Sequence, residues 1–147
     1  MPYYIKKSKK TTQSTKSPLS TLVRKLDNKF SLFIRLRDSR AFGYRGFKCI
    51  SCGQIKPFEK ADCGHYYSRK HMATRFDEDN AHAECSSCNR FSADHLIGYR
   101  ENLVKKIGQE RFDMLTWKHN QSKHWTEFEL KELIKYYDAL IKKMKSE

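Results

Sequence analysis

The sequence predicts an α+β fold, with a small core assembled around a zinc ion and flanked by an N-terminal and a C-terminal helix. The first observation is a pair of Cys-x-x-Cys motifs in the middle of the chain, Cys49/Cys52 and Cys85/Cys88. Four thiolates in two such pairs match a tetrahedral structural zinc site. The second is helical spacing of apolar residues on both sides of these motifs. With 147 residues, of which 38% are hydrophobic, we expect one compact domain whose modest core is stabilised by the metal.

The N-terminal part of the chain divides into an arm and a helix. Residues 1–20 are rich in lysine, serine and threonine, and we predict a disordered basic arm there. A helix is predicted over residues 21–39, capped by Ser20 or Thr21. Its apolar residues recur at roughly helical spacing: Leu22, Leu26, Phe30, Phe33 and Leu36.

The central part is predicted to contain short strands and tight turns over residues 47–67, with one strand from Ala61 to Tyr67. Thirty-two residues separate Cys52 from Cys85, which leaves room for a hairpin inserted between the two halves of the zinc site. The C-terminal part is helical. Helices are expected over residues 91–107, 109–117 and from the capping box Thr126-x-x-Glu129 onward. The predicted organisation is therefore an arm at 1–20, a zinc-stapled core with its leading helix at 21–108, and a helical extension at 109–147.

Charge is distributed unevenly along the chain. The net charge is +13, and residues 1–48 carry eight lysines and five arginines against two acidic residues. Residues 49–95, which contain the cysteine motifs, have six basic and seven acidic residues. A strongly basic N-terminus beside a nearly neutral site favours a polyanionic partner, and nucleic acid above others. The alternative on charge alone is a soluble basic protein without a specific partner.

Two further features suggest a cytoplasmic protein. No apolar run is long enough to span a membrane, and the first residues lack the apolar stretch of a signal peptide. In a reducing compartment, paired cysteines favour metal binding over disulfides.

A histidine and an asparagine lie between the cysteine pairs. His65 belongs to the segment Asp62-Cys63-Gly64-His65-Tyr66, and Asn80 shortly precedes the second pair. This arrangement suggests a metal-assembled nuclease core, in which zinc holds the fold and a second metal does the chemistry. In an extended strand, Asp62 and His65 would face apart unless the chain bends near Gly64. For the fifth cysteine, Cys63, buried packing is favoured over a role as an alternative ligand or a redox-active thiol.

Several motifs, in order, carry a family resemblance that runs from about Leu22 to about Gly108. They are Ser31-Leu32-Phe33-Ile34-Arg35-Leu36-Arg37-Asp38, Cys49-Ile50-Ser51-Cys52-Gly53, Cys63-Gly64-His65-Tyr66, and the segment from Arg75 through Asn80, His82 and the second cysteine pair to Asn89. The set resembles the phage NinG/Rap-type recombination proteins. That family is similar to the HNH, or His-metal finger, endonucleases, which build a ββα site where two strands and a helix hold one divalent metal.

The resemblance implies roles for individual residues. His65 would be the general base, Asn80 the middle residue of the signature, and Asn89 would stand in place of its last histidine. Asp62 is the best carboxylate for a catalytic Mg²⁺ or Mn²⁺, with Asp94 and His95 on the following helix as rivals. His82 is left open between a site residue and a strand residue packed near the zinc.

The implied substrate is branched DNA, such as a Holliday junction or a D-loop. Arg35 and Arg37 would contact the duplex backbone, and Arg69 and Arg75 would hold neighbouring phosphates. A homodimer would span the junction. There are two competing hypotheses. One is a non-catalytic zinc-dependent nucleic-acid-binding module, and the other is a zinc-stapled interaction protein with a helical C-terminus.

Overall fold

The computed structural model describes residues 17–147, so most of the predicted arm lies outside the described residues. Within that range the chain forms six α-helices and four short strands. The helices are α1 (Pro18–Ser39), α2 (Met72–Arg75), α3 (Ser86–Phe91), α4 (His95–Ile107), α5 (Gln109–His119) and α6 (Glu127–Lys145). The strands are β1 (Gly46–Lys48), β2 (Ile55–Pro57), β3 (Ala61–His65) and β4 (Ala81–Cys85). The fold is thus α+β, as predicted.

Helix α1 begins earlier than predicted. The side chain of Ser17 accepts a hydrogen bond from the Ser20 amide at 3.2 Å, which satisfies one of the unpaired donors of the first turn. Pro18 occupies the start of the helix, where its missing N–H costs nothing. Ser17 is therefore the cap, rather than Ser20 or Thr21, and the predicted arm extends at most to residue 16. The end at Ser39 is as predicted.

The strands form two antiparallel two-stranded sheets, β1 with β2 and β3 with β4. In the second sheet Ala61 pairs with Cys85 and His65 pairs with Ala81. The connection between β3 and β4 contains the single turn of α2, and α3 follows β4 directly. Two strands and a helix thus follow one another in a ββα order, with the second cysteine pair at the junction of strand and helix.

The helix predicted over residues 91–107 is wrong at its start. The chain forms two helices there, because Ser92 adopts an extended conformation (φ −99°, ψ 113°) after α3. The second helix, α4, has its own packing partner. A Cβ on Gly98 would lie 2.3 Å from the Ser51 carbonyl oxygen, so the absence of a side chain lets α4 approach the first cysteine turn closely.

The main hydrophobic core lies between α1 and α6. It combines the buried residues Leu26, Phe30, Phe33, Ile34 and Leu36 of α1 with Leu130, Ile134, Tyr137, Ile141 and Met144 of α6, together with Phe76 and Ala81. Helix α6 opens with the predicted capping box, in which Thr126 accepts from the Glu129 amide at 3.1 Å. The predicted C-terminal extension therefore supplies about half of the main core instead of extending away from it.

A second apolar cluster joins α4 and α5 to the centre of the molecule. It contains Ile50, Tyr99, Leu103, Phe112 and Leu115. The fully buried Tyr99 donates its hydroxyl hydrogen to the Gly64 carbonyl at 2.7 Å. This bond ties α4 to β3 one residue before His65. Within residues 17–147, no helix is both long and apolar enough to cross a membrane.

Candidate metal centre and active-site pocket

The four paired cysteines come together as predicted. One sulfur atom from each of Cys49, Cys52, Cys85 and Cys88 lies within 4.8 Å of the other three, and the Cys52 and Cys85 sulfurs are 4.0 Å apart. A tetrahedral zinc with bonds of about 2.3 Å places its sulfurs about 3.8 Å apart. The donor set and its spacing therefore fit zinc, and these four cysteines could bind it.

Local backbone structure brings the cysteines together. After β1, the chain turns tightly so that the Gly53 amide donates to the Cys49 carbonyl at 2.9 Å, and Gly53 takes the positive φ of 72° that the turn requires. The Cys85 amide donates to the Cys49 sulfur at 3.2 Å, a contact that stabilises a thiolate. The Ile50 amide donates to the Ala83 carbonyl at 3.1 Å. These bonds connect the first cysteine turn to β4.

A polar cavity of about 550 Å³ opens beside β3 and is formed with residues of α1, α3 and α4. Five of the residues predicted for the site line it: Arg35, Asp62, His65, Arg69 and Asn89. The lining also includes Asp27, Tyr66 and Arg90, which were not predicted for the site's chemistry, and His95, the predicted rival ligand. We call this cavity the β3 pocket.

The His65 imidazole has a defined tautomer. Its Nε2 lies 3.0 Å from the carbonyl oxygen of Arg75. A carbonyl can only accept a hydrogen bond, so Nε2 carries the proton and Nδ1 keeps its lone pair. Burial lowers the pKa of His65, although the Arg75 carbonyl opposes this effect. The imidazole is therefore neutral at pH 7.

Asp62 is hydrogen-bonded on both carboxylate oxygens. Asn89 donates to it through Nδ2 at 3.0 Å, and Arg90 binds it with two bonds of 2.9 and 3.0 Å. Burial by itself would raise the pKa of Asp62, but the hydrogen bonds from Asn89 and Arg90 outweigh it and lower that pKa. The carboxylate is ionised, and Arg90 is its present counterion. Sequence reasoning missed Arg90, whose only signal was a basic residue directly after Asn89.

Asp62 and His65 reach the same pocket despite their odd spacing on the strand. Among the described residues, β3 pairs only with β4, so no strand pairs with its other edge, and both Asp62 and His65 line the pocket. Apart from the four cysteines, no three His, Cys, Asp or Glu side chains within residues 17–147 are close enough to share a metal. A second metal would depend on the Asp62 carboxylate, the Asn89 amide, water and substrate phosphate, a donor set typical of Mg²⁺.

Asn80, predicted as the middle residue of the signature, does not line the β3 pocket. The residue is 0% exposed. Its Oδ1 accepts from the Tyr67 amide at 2.9 Å, and its Nδ2 donates to the carbonyls of Tyr67 and Thr74 at 2.9 and 3.0 Å. Both ends of the amide are therefore occupied by the backbone of the loop that follows His65. Asn80 holds that loop in place.

Two of the four predicted DNA-binding arginines are engaged within the protein. Arg75 forms an ion pair with Asp27 and also donates to the Arg69 carbonyl at 2.8 Å. Arg37 pairs with Asp38 and donates to the carbonyls of Glu78 and Ala81. Neither guanidinium is free to hold a phosphate. Arg35 and Arg69 line the β3 pocket, and the side chain of Arg69 is 62% exposed.

His82 and Cys63 both have surroundings that are typical of residues with a structural role. His82 is 2% exposed, and its Nδ1 accepts from Arg37 at 3.1 Å and Lys106 at 2.9 Å. Burial, followed by these two cations, lowers the pKa of His82 to about 3. Burial raises the pKa of Cys63 to about 12, so Cys63 is a neutral packed thiol, in line with the favoured prediction.

The chain is similar to phage proteins along most of its length. A family model described as "Bacteriophage Lambda NinG protein" matches residues 4–147. The protein ninG of Escherichia phage lambda is 32% identical over 130 residues, which are 88% of this chain and 60% of that protein. The protein ninG of Escherichia phage 933W is also 32% identical over 130 residues, covering 61% of its length. That of Salmonella phage P22 is 31% identical over 129 residues, covering 87% of this chain and 60% of its own.

The chain spans about three-fifths of the length of these relatives. No solved structure matches it significantly. The family match includes both cysteine pairs, β3, α3 and the whole of the β3 pocket. On the strength of that match the chain belongs to the NinG family.

Proposed function

We propose that this chain is a divalent-metal-dependent DNA endonuclease of the HNH, Rap-like type. It would act on branched recombination intermediates, of the Holliday-junction or D-loop kind, in the cytoplasm of the phage host. The observation that carries the proposal is the β3 pocket, where a neutral His65 with a defined tautomer lies with Asp62 and Asn89 in one polar cavity. A module that only binds nucleic acid needs no such histidine.

The residues of the pocket suit phosphodiester hydrolysis. His65, with a free lone pair on Nδ1, takes a proton from the attacking water. The carbonyl of Arg75 holds the Nε2 proton and so fixes the ring during the transfer. A bound Mg²⁺ or Mn²⁺ would supply positive charge to the phosphoryl oxygens and the departing alkoxide. Asp62 and Asn89 are the residues that would hold it.

Substrate binding is assigned to the arginines that line the pocket. Arg35, Arg69 and Arg90 present cationic groups around Asp62 and His65. Arg35 and Arg69 can bind a phosphate as they stand, and Arg90 can do so once it leaves Asp62. The basic residues 1–16, which carry five lysines and no acidic residue, would add contacts that carry no sequence information. Removing residues 1–16 is expected to weaken binding to all DNA forms alike and to lessen its salt dependence.

The test of the activity uses zinc-loaded protein and end-labelled DNA. Junction, fork and plain duplex substrates of matched sequence are incubated with Mg²⁺ or Mn²⁺. In a parallel control, EDTA is added instead of these metals, briefly enough that the structural zinc is retained. The proposal predicts metal-dependent cuts near the branch of the junction and fork, with little cutting of the duplex. Tight, salt-dependent binding of all three substrates without any cut would refute the nuclease.

One observation favours the alternative, a zinc-dependent nucleic-acid-binding module. Asp62 already has a counterion in Arg90. Among the residues that the structure describes, the pocket brings no three His, Cys, Asp or Glu side chains close enough to share a metal ion. In a pure binding module Arg90 would keep Asp62 paired, and adding Mn²⁺ would change neither DNA affinity nor the DNA strands. The same gel assay, with a binding titration alongside, distinguishes the two functions.

A further inference from the structure

The inference concerns His95, the first residue of α4, and its contact with a buried carboxylate. His95 Nδ1 is hydrogen-bonded to Oε1 of Glu84, a side chain that is 0% exposed. The same oxygen accepts from the Ser51 hydroxyl at 2.7 Å. Because the carboxylate is the acceptor, the His95 proton lies on Nδ1. Nε2, the other ring nitrogen, hydrogen-bonds to none of residues 17–147, and the residue lines the β3 pocket.

The Glu84 carboxylate fits into β3 only because residue 64 is a glycine. A Cβ on Gly64 would lie 2.1 Å from Glu84 Oε2 and 2.8 Å from its Cβ, so only glycine leaves room for Glu84 at this point of β3. Oε2 is buried and has no hydrogen-bond partner among the described residues. A buried carboxylate oxygen without a hydrogen bond costs free energy, so its presence in a folded protein needs an explanation. Its visible effect is to hold the His95 ring.

Helix α4 is fixed in the position that this contact needs. Gly98 packs directly on the Ser51 carbonyl, and Asn102 donates to the Ile50 carbonyl at 2.7 Å. Ser51 and Ile50 lie inside the first cysteine pair, so the same turn that carries zinc ligands positions the start of α4. The imidazole is therefore held from two sides, by its own carboxylate and by its helix.

A histidine that donates one ring N–H to a carboxylate and exposes the other nitrogen to a polar pocket is the arrangement typical of metal-binding histidines. The carboxylate fixes the tautomer and makes the free nitrogen a better donor. We propose that His95 Nε2 is a ligand in a divalent-cation site of the β3 pocket, with Asp62 and Asn89, and that Glu84 is its positioning residue. The His95 site rests on the proposed function only in that the β3 pocket is taken as the place where a divalent cation binds. Cation binding itself can be measured without DNA.

The proposal narrows the class of metal. Oxygen-only sites suit Mg²⁺, whereas an imidazole nitrogen favours transition metals. Mn²⁺ accepts both carboxylate and imidazole donors, so we expect the pocket to bind Mn²⁺ in preference to Mg²⁺. Arg90, whose side chain is 62% exposed, would leave Asp62 when the cation binds.

The experiment measures Mn²⁺ binding to the zinc-loaded protein without DNA, by titration and by pulsed electron paramagnetic resonance. Wild type is expected to bind one Mn²⁺ and to show nitrogen couplings from a histidine. His95→Ala should weaken Mn²⁺ affinity by about 10- to 100-fold or more and remove those couplings. His95→Gln provides a second variant should the alanine protein fold poorly. His124→Ala, which removes an exposed histidine outside the pocket, is the matched control and should match wild type.

Two results would overturn the proposal. One is that the zinc-loaded wild type binds no Mn²⁺, and the other is that the nitrogen couplings and the Mn²⁺ affinity are unchanged in both His95 variants. Zinc content, measured on every sample, separates loss of this site from loss of the cysteine site. Nuclease activity is a separate readout. If His95→Ala still cleaves DNA and binds Mn²⁺ as tightly as wild type, the His95 cation site is refuted and the proposed nuclease activity is not. If Mn²⁺ binding depends on His95 but no DNA is cut, the cation site is supported and the nuclease activity is refuted.

Discussion

The two asparagines assigned to the site from sequence are expected to differ in how much stability the protein loses when each is removed. Asn80→Ala deletes three hydrogen bonds of a fully buried amide and leaves the Tyr67 amide and carbonyl without their partner. A buried group left unsatisfied costs about 1–3 kcal/mol. Because the Thr74 carbonyl keeps the Asp77 amide as a donor, we expect a total loss of about 3 kcal/mol in the free energy of unfolding.

Asn89→Ala removes one hydrogen bond to Asp62, whose carboxylate keeps Arg90 and Ser86. The expected loss is about 1 kcal/mol or less, since the site is partly exposed. Both variants are expected to lose cleavage, Asn80→Ala because the loop after His65 loosens and Asn89→Ala because the pocket loses a donor.

The assay is urea unfolding of the zinc-loaded proteins, with hydrogen exchange of the Tyr67 amide as a local probe. The Tyr67 amide should exchange faster in Asn80→Ala than in Asn89→Ala. An Asn80→Ala protein within about 0.5 kcal/mol of wild type would refute the bracing role. So would equal destabilisation by the two substitutions.

Three further predictions follow from the metal centre, the buried histidine and the tight packing at β3. Cys52→Ser should lose zinc and fail to fold stably, since structural zinc contributes on the order of 10 kcal/mol in small domains; a metal-free, well-folded wild type by elemental analysis and circular dichroism would contradict this. His82 has a pKa of about 3 in the folded state and an ordinary pKa near 6.5 in the unfolded chain. Between these two pH values only the unfolded chain binds a proton at His82, so the free energy of unfolding falls as pH drops below about 6.5. Between pH 6 and 5, wild type should lose about 1 kcal/mol more than His82→Asn in urea titrations, and parallel curves would show that His82 does not titrate this way. Gly64→Ala should cost about 1–3 kcal/mol through its clash with Glu84, and a thermal melting temperature equal to that of wild type would contradict that packing.

The parts of the fold that sequence predicted well depend on local signals. The Cys-x-x-Cys spacing is itself the geometry of a metal turn, so Cys49, Cys52, Cys85 and Cys88 could be grouped without a structure. The capping box at Thr126 marks the start of α6 for the same reason, because cap and partner are three residues apart. Helix α1 was found from its apolar spacing, and its start was misjudged because Ser17 caps it before the apolar pattern begins.

The parts that sequence could not predict depend on partners far apart in the chain. Arg75 pairs with Asp27 across 48 residues, and Arg37 bonds to the Ala81 carbonyl across 44. A basic residue in a nuclease-like motif looks available for DNA until its partner is located. Glu84 gave no signal of its own, because a single acidic residue before a zinc ligand is ordinary. Its burial and its contact with His95 exist only after α4 has packed on the first cysteine turn.

Asn80 shows a different limit of sequence reasoning. Its place as the middle residue of the signature comes from the family resemblance, which names no hydrogen-bond partner. The structure places its amide against the backbone of the loop after His65. Motif order locates a residue in the chain, and only the hydrogen-bond partners distinguish a ligand from a support.

The central claim is that His65 is the general base of a nuclease pocket, and one comparison tests it directly. Wild type, His65→Ala and His124→Ala are assayed on the same labelled junction with Mn²⁺, at equal zinc content and equal DNA occupancy. Loss of a general base costs about 100- to 10,000-fold in rate, so His65→Ala should fall by that factor while His124→Ala cuts at the wild-type rate. Cleavage by His65→Ala within a few-fold of wild type would contradict the account.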